Sequence, residues 1–284
     1  MCETEVTIII PVRNRAALLP RLFRSLERVE HRPLHLILVD NGSTDESLAQ
    51  CQSFACRAPF PVEVLREPHP GANLARNRGL AACHTEWVYF FDSDDEISPD
   101  FLHSLLPLTE GKDLVLFRTR LLEEGRLRTR DFRPSPRVAA HILSGTLNTQ
   151  GILLRTDFLR RVGGWNEGVS VWQDWELGVR LLLARPRIAW QGRGAFHRLH
   201  QHAESITQTS LLAQRLATLR AVAPLLSAPA DVRALYLRGC ILLGQARTAE
   251  PLALGLHVPL GTRLWGCLLR LYTRLGGRGA WRMG

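Results

Sequence analysis

Four short runs of apolar residues alternate with helical patterns along the first third of the chain. The runs cover residues 6–12, 34–40, 62–67 and 87–92. Strands that are buried on both faces have continuous apolar runs of this kind, typical of parallel sheets covered by helices. The alternation predicts an α/β fold with a doubly wound, mainly parallel sheet flanked by helices. In such a sheet the carboxyl ends of the strands share one edge, where ligands bind.

The remainder of the chain is predicted to add a hairpin and then helices. Residues 113–127 have a strand pattern with a turn at Glu124 and Gly125, and residues 153–162 and 175–184 have helical patterns. From Ser210 onward the pattern is helical, with breaks around residues 224–229 and 255–261. We therefore expect an α/β domain over residues 1–207 and a basic, helical C-terminal extension over residues 208–284.

Positive charge is concentrated in the C-terminal extension. Residues 1–207 hold 26 basic and 25 acidic residues, whereas residues 208–284 hold ten Arg against Asp231 and Glu250. Because the main domain is balanced, we expect no nucleic-acid partner for it. The extension can meet anionic lipid, nucleic acid or an acidic protein, or it can be a solvated helical face.

Cysteine usage and hydropathy predict a cytoplasmic protein. None of the six cysteines lies in a Cys-x-x-Cys pair or has zinc-ribbon spacing, so we expect buried thiols in a reducing compartment. Glu3 and Glu5 precede the first apolar run, which favours a strand over a signal peptide. We also expect no membrane-spanning helix, because no run reaches the ~18 apolar residues that one needs.

Three acidic residues crowd the loop after the fourth apolar run. Asp92, Asp94 and Asp95 follow the strand pattern of WVYFF directly. Carboxylates this close repel one another, so a cation that neutralises them stabilises the cluster. Oxygen ligands in an Asp-x-Asp arrangement suit Mg²⁺ or Mn²⁺ held partly by substrate phosphates. The alternative interpretation is a solvated acidic turn.

Two further motifs lie at predicted strand ends. VDNGSTD places Asp40 where an acid can accept hydrogen bonds from a ribose or a base, although the motif is also ordinary turn chemistry. GANLARNRG begins a helix at Gly71, and the helix amino end together with Arg76 suits a phosphate. Neither a P-loop nor a G-x-G-x-x-G fingerprint is present.

Together, five motifs resemble the ordered signature of the family 2 glycosyltransferases. They are IIIPVRNR, VDNGSTD, GANLARNRG, DSDD and GGWNE followed by QDWEL, and the resemblance covers about residues 5–207. It implies the GT-A fold and an inverting enzyme that uses a nucleotide-diphosphate sugar. The extension after Ser210 resembles no family that we can name.

The resemblance assigns roles to residues on the predicted sheet edge. Pro11 and Asp40 would line the nucleoside pocket, with Arg76 close by. Asp92 would face the ribose, and Asp94 would bind the divalent cation, Mn²⁺ or Mg²⁺, that bridges the diphosphate. A cation there stabilises the negative charge of the departing nucleotide.

The resemblance also places the catalytic base at Asp174, in QDWEL. An acceptor hydroxyl is a poor nucleophile and benefits from such a carboxylate, and a single base opposite the leaving group implies inversion. Glu176 is the alternative base, and a helix-start carboxylate is the structural alternative for Asp174. Two residues depart from the family pattern: Gln173 replaces an acid beside the base, and Asn41 replaces a second acid near the ribose.

The segment FHRLHQHAESIT contains further candidates. In the family, an Arg-x-His…Ser segment contacts the diphosphate or completes the metal shell. The match favours Arg198 for substrate binding and His200 for the metal. His202 is the alternative, because the spacing to Ser205 fits either histidine. Without the family, histidines at alternate positions also fit an exposed strand face.

Three tryptophans surround the loop that contains GGWNEG. Trp165, Trp172 and Trp175 are candidates to stack on a sugar, with Trp172 the preferred substrate contact, or they fill the core.

The end of the extension is predicted to form a basic amphipathic helix. Apolar residues repeat along one face, namely Leu264, Trp265, Leu268, Leu271, Tyr272 and Leu275. The arginines Arg263, Arg270 and Arg274 fall on another face. Such a helix can lie on an anionic membrane that holds a lipid-linked acceptor, or pack on the protein or a second subunit.

We therefore expect a metal-assisted, inverting glycosyltransferase that makes a bacterial surface polysaccharide or a lipid-linked glycan. Its donor would be a nucleotide-diphosphate sugar and its acceptor a glycan or lipid-linked hydroxyl. A sugar-phosphate nucleotidyltransferase is the alternative enzyme, but PVRNRAALL lacks the usual glycine-rich loop. A non-catalytic binder with a degenerate site is the third class, and the retained Asp94 and Asp174 argue against it. We place the protein in the cytoplasm, with peripheral contact to the inner membrane face through the extension.

Overall fold

Within the described residues, eight strands form one sheet in a computed structural model of the protein. The structure describes residues 5–30, 34–123, 126–130, 137–200, 211–249, 251–277 and 279, and only the backbone of residues 120–123, 126–130 and 193–200. The chain divides into two compact units. The first comprises Met1–Pro134, Asn148–Glu167 and Pro186–Ala203, and the second Ser135–Leu147, Gly168–Arg185 and Glu204–Gly284.

The sheet belongs to the first unit and is mainly parallel, as the sequence predicts. Its strands are β1 (Val6–Val12), β2 (Leu34–Asp40), β3 (Val62–Arg66), β4 (Trp87–Phe90), β5 (Leu114–Glu123), β6 (Arg126–Arg130), β7 (Ile152–Arg155) and β8 (Ile188–His200). The order is β3-β2-β1-β4-β7-β5-β6, and β8 lies outside this path and pairs with β5 along the edge opposite β7. The first four strands are parallel to one another, and β7 is antiparallel to both of its neighbours.

The register of the first strands sets the position of the site. Val12 of β1 lies opposite Asp40 of β2, so both strands end at the same level. Six of the seven residues of each strand are buried, which is why both sequences are almost continuously apolar. Strand β4 ends at Phe90, and Asp92 therefore lies in the loop beyond it at the same edge.

Five helices accompany the sheet in the described part of the first unit. They are α1 (Leu19–Glu27), α2 (Ser47–Arg57), α3 (Ala72–Ala82), α4 (Phe101–Leu105) and α6 (Thr156–Arg161). Helix α3 lies directly against β1 and β2. A Cβ atom on Gly79 would be 2.5 Å from Ile9 Cγ2 and 3.3 Å from Val39 Cγ2, so this glycine permits the close approach of helix and sheet.

The prediction of a single helix over residues 153–162 is wrong in its first part. Residues Ile152–Arg155 form strand β7, and helix α6 begins only at Thr156. An apolar run as short as ILLR fits a buried strand or a buried helix equally well, and pairing with β4 and β5 decides for the strand. The predicted hairpin is confirmed, because β5 and β6 pair antiparallel on either side of the predicted turn.

The described part of the second unit consists of helices around its own core. These are α5 (Val138–Ser144), α7 (Gln173–Leu183), α8 (Leu212–Val222), α9 (Pro229–Gln245) and α10 (Leu260–Arg274). His141 is fully buried there: Nδ1 accepts a hydrogen bond from Leu147 N at 3.2 Å, and Nε2 donates to Trp175 O at 3.0 Å. Burial lowers the pKa of His141 to about 4, so the imidazole is neutral at physiological pH.

Two segments of the predicted α/β domain, residues 135–147 and 168–185, belong to the second unit. The units therefore do not coincide with the predicted boundary after residue 207, which stays a prediction about domains. In the described part of the chain, none of the helices combines the length and hydropathy needed to cross a membrane.

The close packing of α3 on the sheet yields a stability prediction. Gly79→Val places methyl groups against the buried Ile9 and should destabilise the protein by about 2 kcal/mol, since overpacked cores typically cost 1–3 kcal/mol. Gly261→Val is the matched control, because no atom lies within 4 Å of a Cβ at that helix position. Urea unfolding should show a lower midpoint for Gly79→Val alone, and equal midpoints for the two variants would contradict the packing argument.

Candidate active site

Asp40 marks the carboxyl end of β2 and is almost fully buried. Its Oδ1 accepts a hydrogen bond from Ser43 N at 3.3 Å, and its carbonyl oxygen accepts one from Glu67 N at 2.8 Å. Strand β2 is thereby connected to the turns that follow β2 and β3. The predicted nucleoside contacts Asp40 and Pro11 lie on neighbouring strands at this edge, with Pro11 opposite Val39 in the register.

Asn41 fixes the segment that leads from β3 into α3. Its side-chain Nδ2 donates hydrogen bonds to Glu67 O at 3.1 Å and to His69 O at 2.6 Å, and its Oδ1 accepts one from Gly71 N at 2.8 Å. An Asp could not make both donations, since a carboxylate only accepts hydrogen bonds. The departure from the family pattern at Asn41 therefore has a structural reason that the sequence alone did not reveal.

The loops after β1 and β2 hold each other in place. Asn14, which has a φ of 52°, accepts a hydrogen bond from Thr44 N at 2.8 Å. Asp45 accepts hydrogen bonds from the backbone N–H groups of Ala16 and Ser47, both at 3.0 Å. Burial opposes ionisation of Asp45, but the hydrogen bonds from Ser47 and Ala16 together outweigh it and lower the pKa of the carboxyl group.

Arg76 connects three of the sequence motifs. The side chain is buried, with its guanidinium carbon 4.4 Å from the ring centroid of Trp165. Its NH1 donates to Asn73 Oδ1 at 3.2 Å, and its NH2 donates to Asp92 Oδ1 at 3.1 Å. Asn73 in turn donates to Asn166 O at 2.7 Å. Arg76, which is expected close to the nucleoside pocket, and Asp92, which is expected to face the ribose, are therefore in direct contact.

Gln150 holds the other oxygen of Asp92. Its side-chain Nε2 donates to Asp92 Oδ2 and to Asp95 Oδ2, the latter at 3.3 Å. Its backbone carbonyl oxygen accepts a hydrogen bond from Tyr89 Oη at 2.9 Å. Burial, followed by the charges of Asp95 and Asp92, raises the pKa of Tyr89 well above its ordinary value. Sequence reasoning missed Gln150 because no motif surrounds it, and only the fold brings it to the acidic loop.

Asp94 differs from Asp92 in its surroundings. Its side chain is 24% exposed, its carboxylate lies 3.9 Å from Arg15 NH2, and its backbone carbonyl accepts a hydrogen bond from Arg21. No group of three or more His, Cys, Asp or Glu that could hold a metal ion occurs among the described residues. An oxygen donor at a partly exposed loop still fits Mg²⁺ or Mn²⁺, which use one or two carboxylates together with phosphates. Asp94 is therefore a described residue that could hold such a cation.

The predicted base lies at the beginning of α7 in the second unit. Asp174 is partly exposed, and its Oδ1 accepts a hydrogen bond from Trp175 N at 2.9 Å. The alternative base, Glu176, is 1% exposed and accepts two hydrogen bonds from Arg180, each at 2.8 Å. A carboxylate so buried and paired is poorly placed to take a proton from an acceptor, so Asp174 is the better candidate.

The three tryptophans divide between the two units. Trp165 belongs to the first unit and packs against Arg76, whereas Trp172 and Trp175 belong to the second. The Trp172 ring centroid lies 4.7 Å from the Arg238 guanidinium carbon and 5.8 Å from the Trp175 centroid. The sugar contact assigned to Trp172 stays a prediction.

The predicted diphosphate segment lies largely outside the described side chains. Arg198 and His200 belong to β8, where the structure describes the backbone alone, opposite Arg120 and Leu122 of β5. His202 and Ser205 lie outside the described residues. The roles of Arg198 in substrate binding and of His200 in metal binding stay predictions.

A family model provides the deciding comparison. The model described as "Glycosyl transferase family 2" matches residues 7–149, which is half of the chain. The chain belongs to glycosyl transferase family 2. The matched residues of this family 2 protein include the Asp40, Arg76, Asp92 and Asp94 positions and end before Asp174.

Known relatives of this family 2 protein carry glycosyltransferase names. The pre-mycofactocin glycosyltransferase of Mycobacterium tuberculosis (strain H37Rv) is 34% identical over 201 residues, covering 66% of this chain and 41% of that protein. The chain thus spans about two fifths of the length of this curated relative.

Solved structures establish the fold as GT-A. S. aureus TarS 1–349 in complex with UDP-GlcNAc is similar with a TM-score of 0.73 at 17% identity, covering 98% of this chain and 90% of that one. The mannosyltransferase PcManGT from Pyrobaculum calidifontis, in complex with GDP-Man and Mn²⁺, gives a TM-score of 0.58 at 16% identity over 98% and 82% of the chains.

The hydrogen bonds of Asn41 yield a prediction for this site. Asn41→Asp removes both donations to the carbonyls of the turn and should destabilise the protein by about 1–3 kcal/mol, measured by urea unfolding. Asn14→Asp is the matched control, because Asn14 uses its side-chain oxygen to accept hydrogen bonds from Thr44, which Asp can replace. The control should stay within about 0.5 kcal/mol of the parent. Equal stability of the two variants would show that the Asn41 amide does not hold the turn.

Proposed function

We propose that the protein transfers a sugar from a nucleotide-diphosphate donor to a hydroxyl of a glycan or lipid-linked acceptor, with inversion at the anomeric carbon. The observation that carries this proposal is the arrangement of Asp40, Arg76 and Asp92 at the carboxyl edge of a GT-A sheet. Such an edge is where open α/β sheets bind nucleotides. The complexes of TarS with UDP-GlcNAc and of PcManGT with GDP-Man support the donor class.

On the donor side, Asp92 and Asp40 bind the nucleoside. Asp92 keeps one orientation because Arg76 and Gln150 bind its two oxygens, and a carboxylate held in this way is preorganised to accept a ribose hydroxyl. Asp40, at the end of β2, accepts a hydrogen bond from the base or the ribose, with Pro11 of the neighbouring strand β1 beside it.

The diphosphate requires positive charge from other groups. A divalent cation, when bound, stabilises the charge that develops on the departing nucleotide. Asp94 would hold this cation, in keeping with its partial exposure and with the Mn²⁺ in the PcManGT complex. Arg198 and His200 are assigned to the diphosphate and the cation by their place in the family motif.

On the acceptor side, Asp174 takes the proton from the attacking hydroxyl. Its carboxylate is partly exposed at the first turn of α7, and Trp175 N fixes one of its oxygens. One base acting opposite the leaving group produces inversion without a covalent sugar–enzyme intermediate. Trp172, two residues earlier, supplies an aromatic surface for the sugar of the acceptor or donor.

We place the reaction in the cytoplasm, with a bacterial surface polysaccharide or lipid-linked glycan as the product. The cysteines support a reducing compartment, because each described cysteine is a free thiol; these are Cys51, Cys56, Cys83, Cys240 and Cys267.

Calorimetric titration tests the donor site. One of UDP, GDP and dTDP should bind in the presence of Mn²⁺ and bind at least about tenfold more weakly without it. Asp94→Asn should abolish this metal dependence, whereas the control Asp157→Asn, on the exposed surface of α6, should bind as the parent does. Binding that is indifferent to Mn²⁺ and to Asp94→Asn would contradict the metal assignment, and no binding of any nucleotide would contradict the donor class.

A substitution at the proposed base separates donor binding from chemistry. Asp174→Asn should bind the nucleotide sugar that matches the bound nucleotide as the parent does. Its turnover, measured as the rate at which the nucleotide product forms, should be about 10²–10⁴-fold lower, as expected for loss of a general base. A rate near that of the parent would show that another residue is the base.

A further inference from the structure

The C-terminal helix α10 exposes its most apolar face. Five leucines point away from the protein, with fractional exposures of 71% for Leu260, 59% for Leu264, 57% for Leu268, 54% for Leu271 and 78% for Leu275. Their spacing of three or four residues makes a continuous stripe along all four turns of the helix. Single exposed leucines are common in proteins, but a contiguous stripe of five marks an interaction surface.

The opposite face of α10 explains why the leucines point outward. The buried residues of the helix are Thr262, Gly266, Leu269 and Thr273, which are mostly small or polar. A Cβ on Gly266 would lie 2.8 Å from Cys240 Sγ, so α10 contacts α9 closely through this narrow face. The helix is therefore held on the second unit by its small residues, and its leucine stripe is left for another partner.

The charge of α10 indicates which partner fits. The helix contains Arg263, Arg270 and Arg274, spaced so that they share one flank of the leucine stripe, and no acidic residue. Arg263 and Arg274 are exposed, whereas Arg270 donates to Thr248 O at 2.6 Å. An apolar stripe bordered by arginines is complementary to an anionic lipid surface, where the leucines enter the acyl boundary and the guanidinium groups meet the headgroups.

We propose that α10 is an interfacial helix that docks the protein on anionic membranes through Leu260, Leu264, Leu268, Leu271 and Leu275. A second copy of the chain fits the surface less well. Two α10 helices brought together would place arginines near arginines without an acid on either helix, and like charges at an interface weaken association. Docking would bring a glycosyltransferase to acceptors that are anchored in the lipid.

Vesicle sedimentation with the full chain tests the docking surface. The parent should bind vesicles of equal parts phosphatidylcholine and phosphatidylglycerol at low salt, at least about tenfold more tightly than phosphatidylcholine alone, and lose this preference at high salt. The triple variant Leu264→Ser, Leu268→Ser, Leu271→Ser should bind anionic vesicles at least about tenfold more weakly. Its fold should be intact, because these side chains already face water.

Matched variants separate the stripe from general apolar or basic surface. Leu211→Ser with Leu225→Ser changes leucines that are 67% and 41% exposed elsewhere in the second unit, and should bind as the parent does. Arg263→Gln with Arg274→Gln should lose the preference for anionic lipid. Absence of vesicle binding by the parent, or unchanged binding by the triple leucine variant, would overturn the proposal. So would a dimer, measured by light scattering, that the triple variant converts to a monomer. No nucleotide or acceptor enters the assay, so its outcome is independent of the proposed transferase activity.

Discussion

A buried arginine controls the arrangement of the candidate active site. Arg76 is removed from water and needs a carboxylate and hydrogen-bond acceptors nearby, because a buried charge without partners is strongly unfavourable. Asp92 and Asn73 meet this need, and the face of Trp165 covers the guanidinium. One side chain thereby holds together helix α3, the acidic loop after β4 and the loop that precedes Asn166.

This arrangement divides the work between two nearby carboxylates. Asp92 is bound on one oxygen by Arg76 and on the other by Gln150, whereas Asp94 is partly exposed beside Arg15. The carboxylate fixed by Arg76 and Gln150 suits recognition of a nucleoside, and the partly exposed Asp94 beside Arg15 suits a cation that arrives with the diphosphate. Asn41 complements them by fixing the turn that begins α3, so the helix that carries Arg76 is positioned before any ligand binds.

The sequence predicted the parts of the structure that depend on local pattern. Strands β1 and β2 have the expected bounds because each is buried on both faces, and the motif order led to the right family. Three features depend on pairing between distant residues and could not be read from the sequence. Strand β7 is an apolar run whose conformation is decided by β4 and β5, Gln150 lies in no motif, and the hydrogen bonds of Asn41 join segments about thirty residues apart. The exposed leucines of α10 were visible as an amphipathic pattern, but the sequence could not show which face of the helix packs on α9.

The coupling between Arg76 and Asp92 is the most direct test of this account. In a double-mutant cycle, Arg76→Gln, Asp92→Asn and the double variant are compared with the parent by urea unfolding. If the ion pair holds the motifs together, the two substitutions should be non-additive by about 1–3 kcal/mol, with the double variant less destabilised than the sum of the single ones. Additive effects would show that the contact does not stabilise the site and that Arg76 does not hold the motifs together.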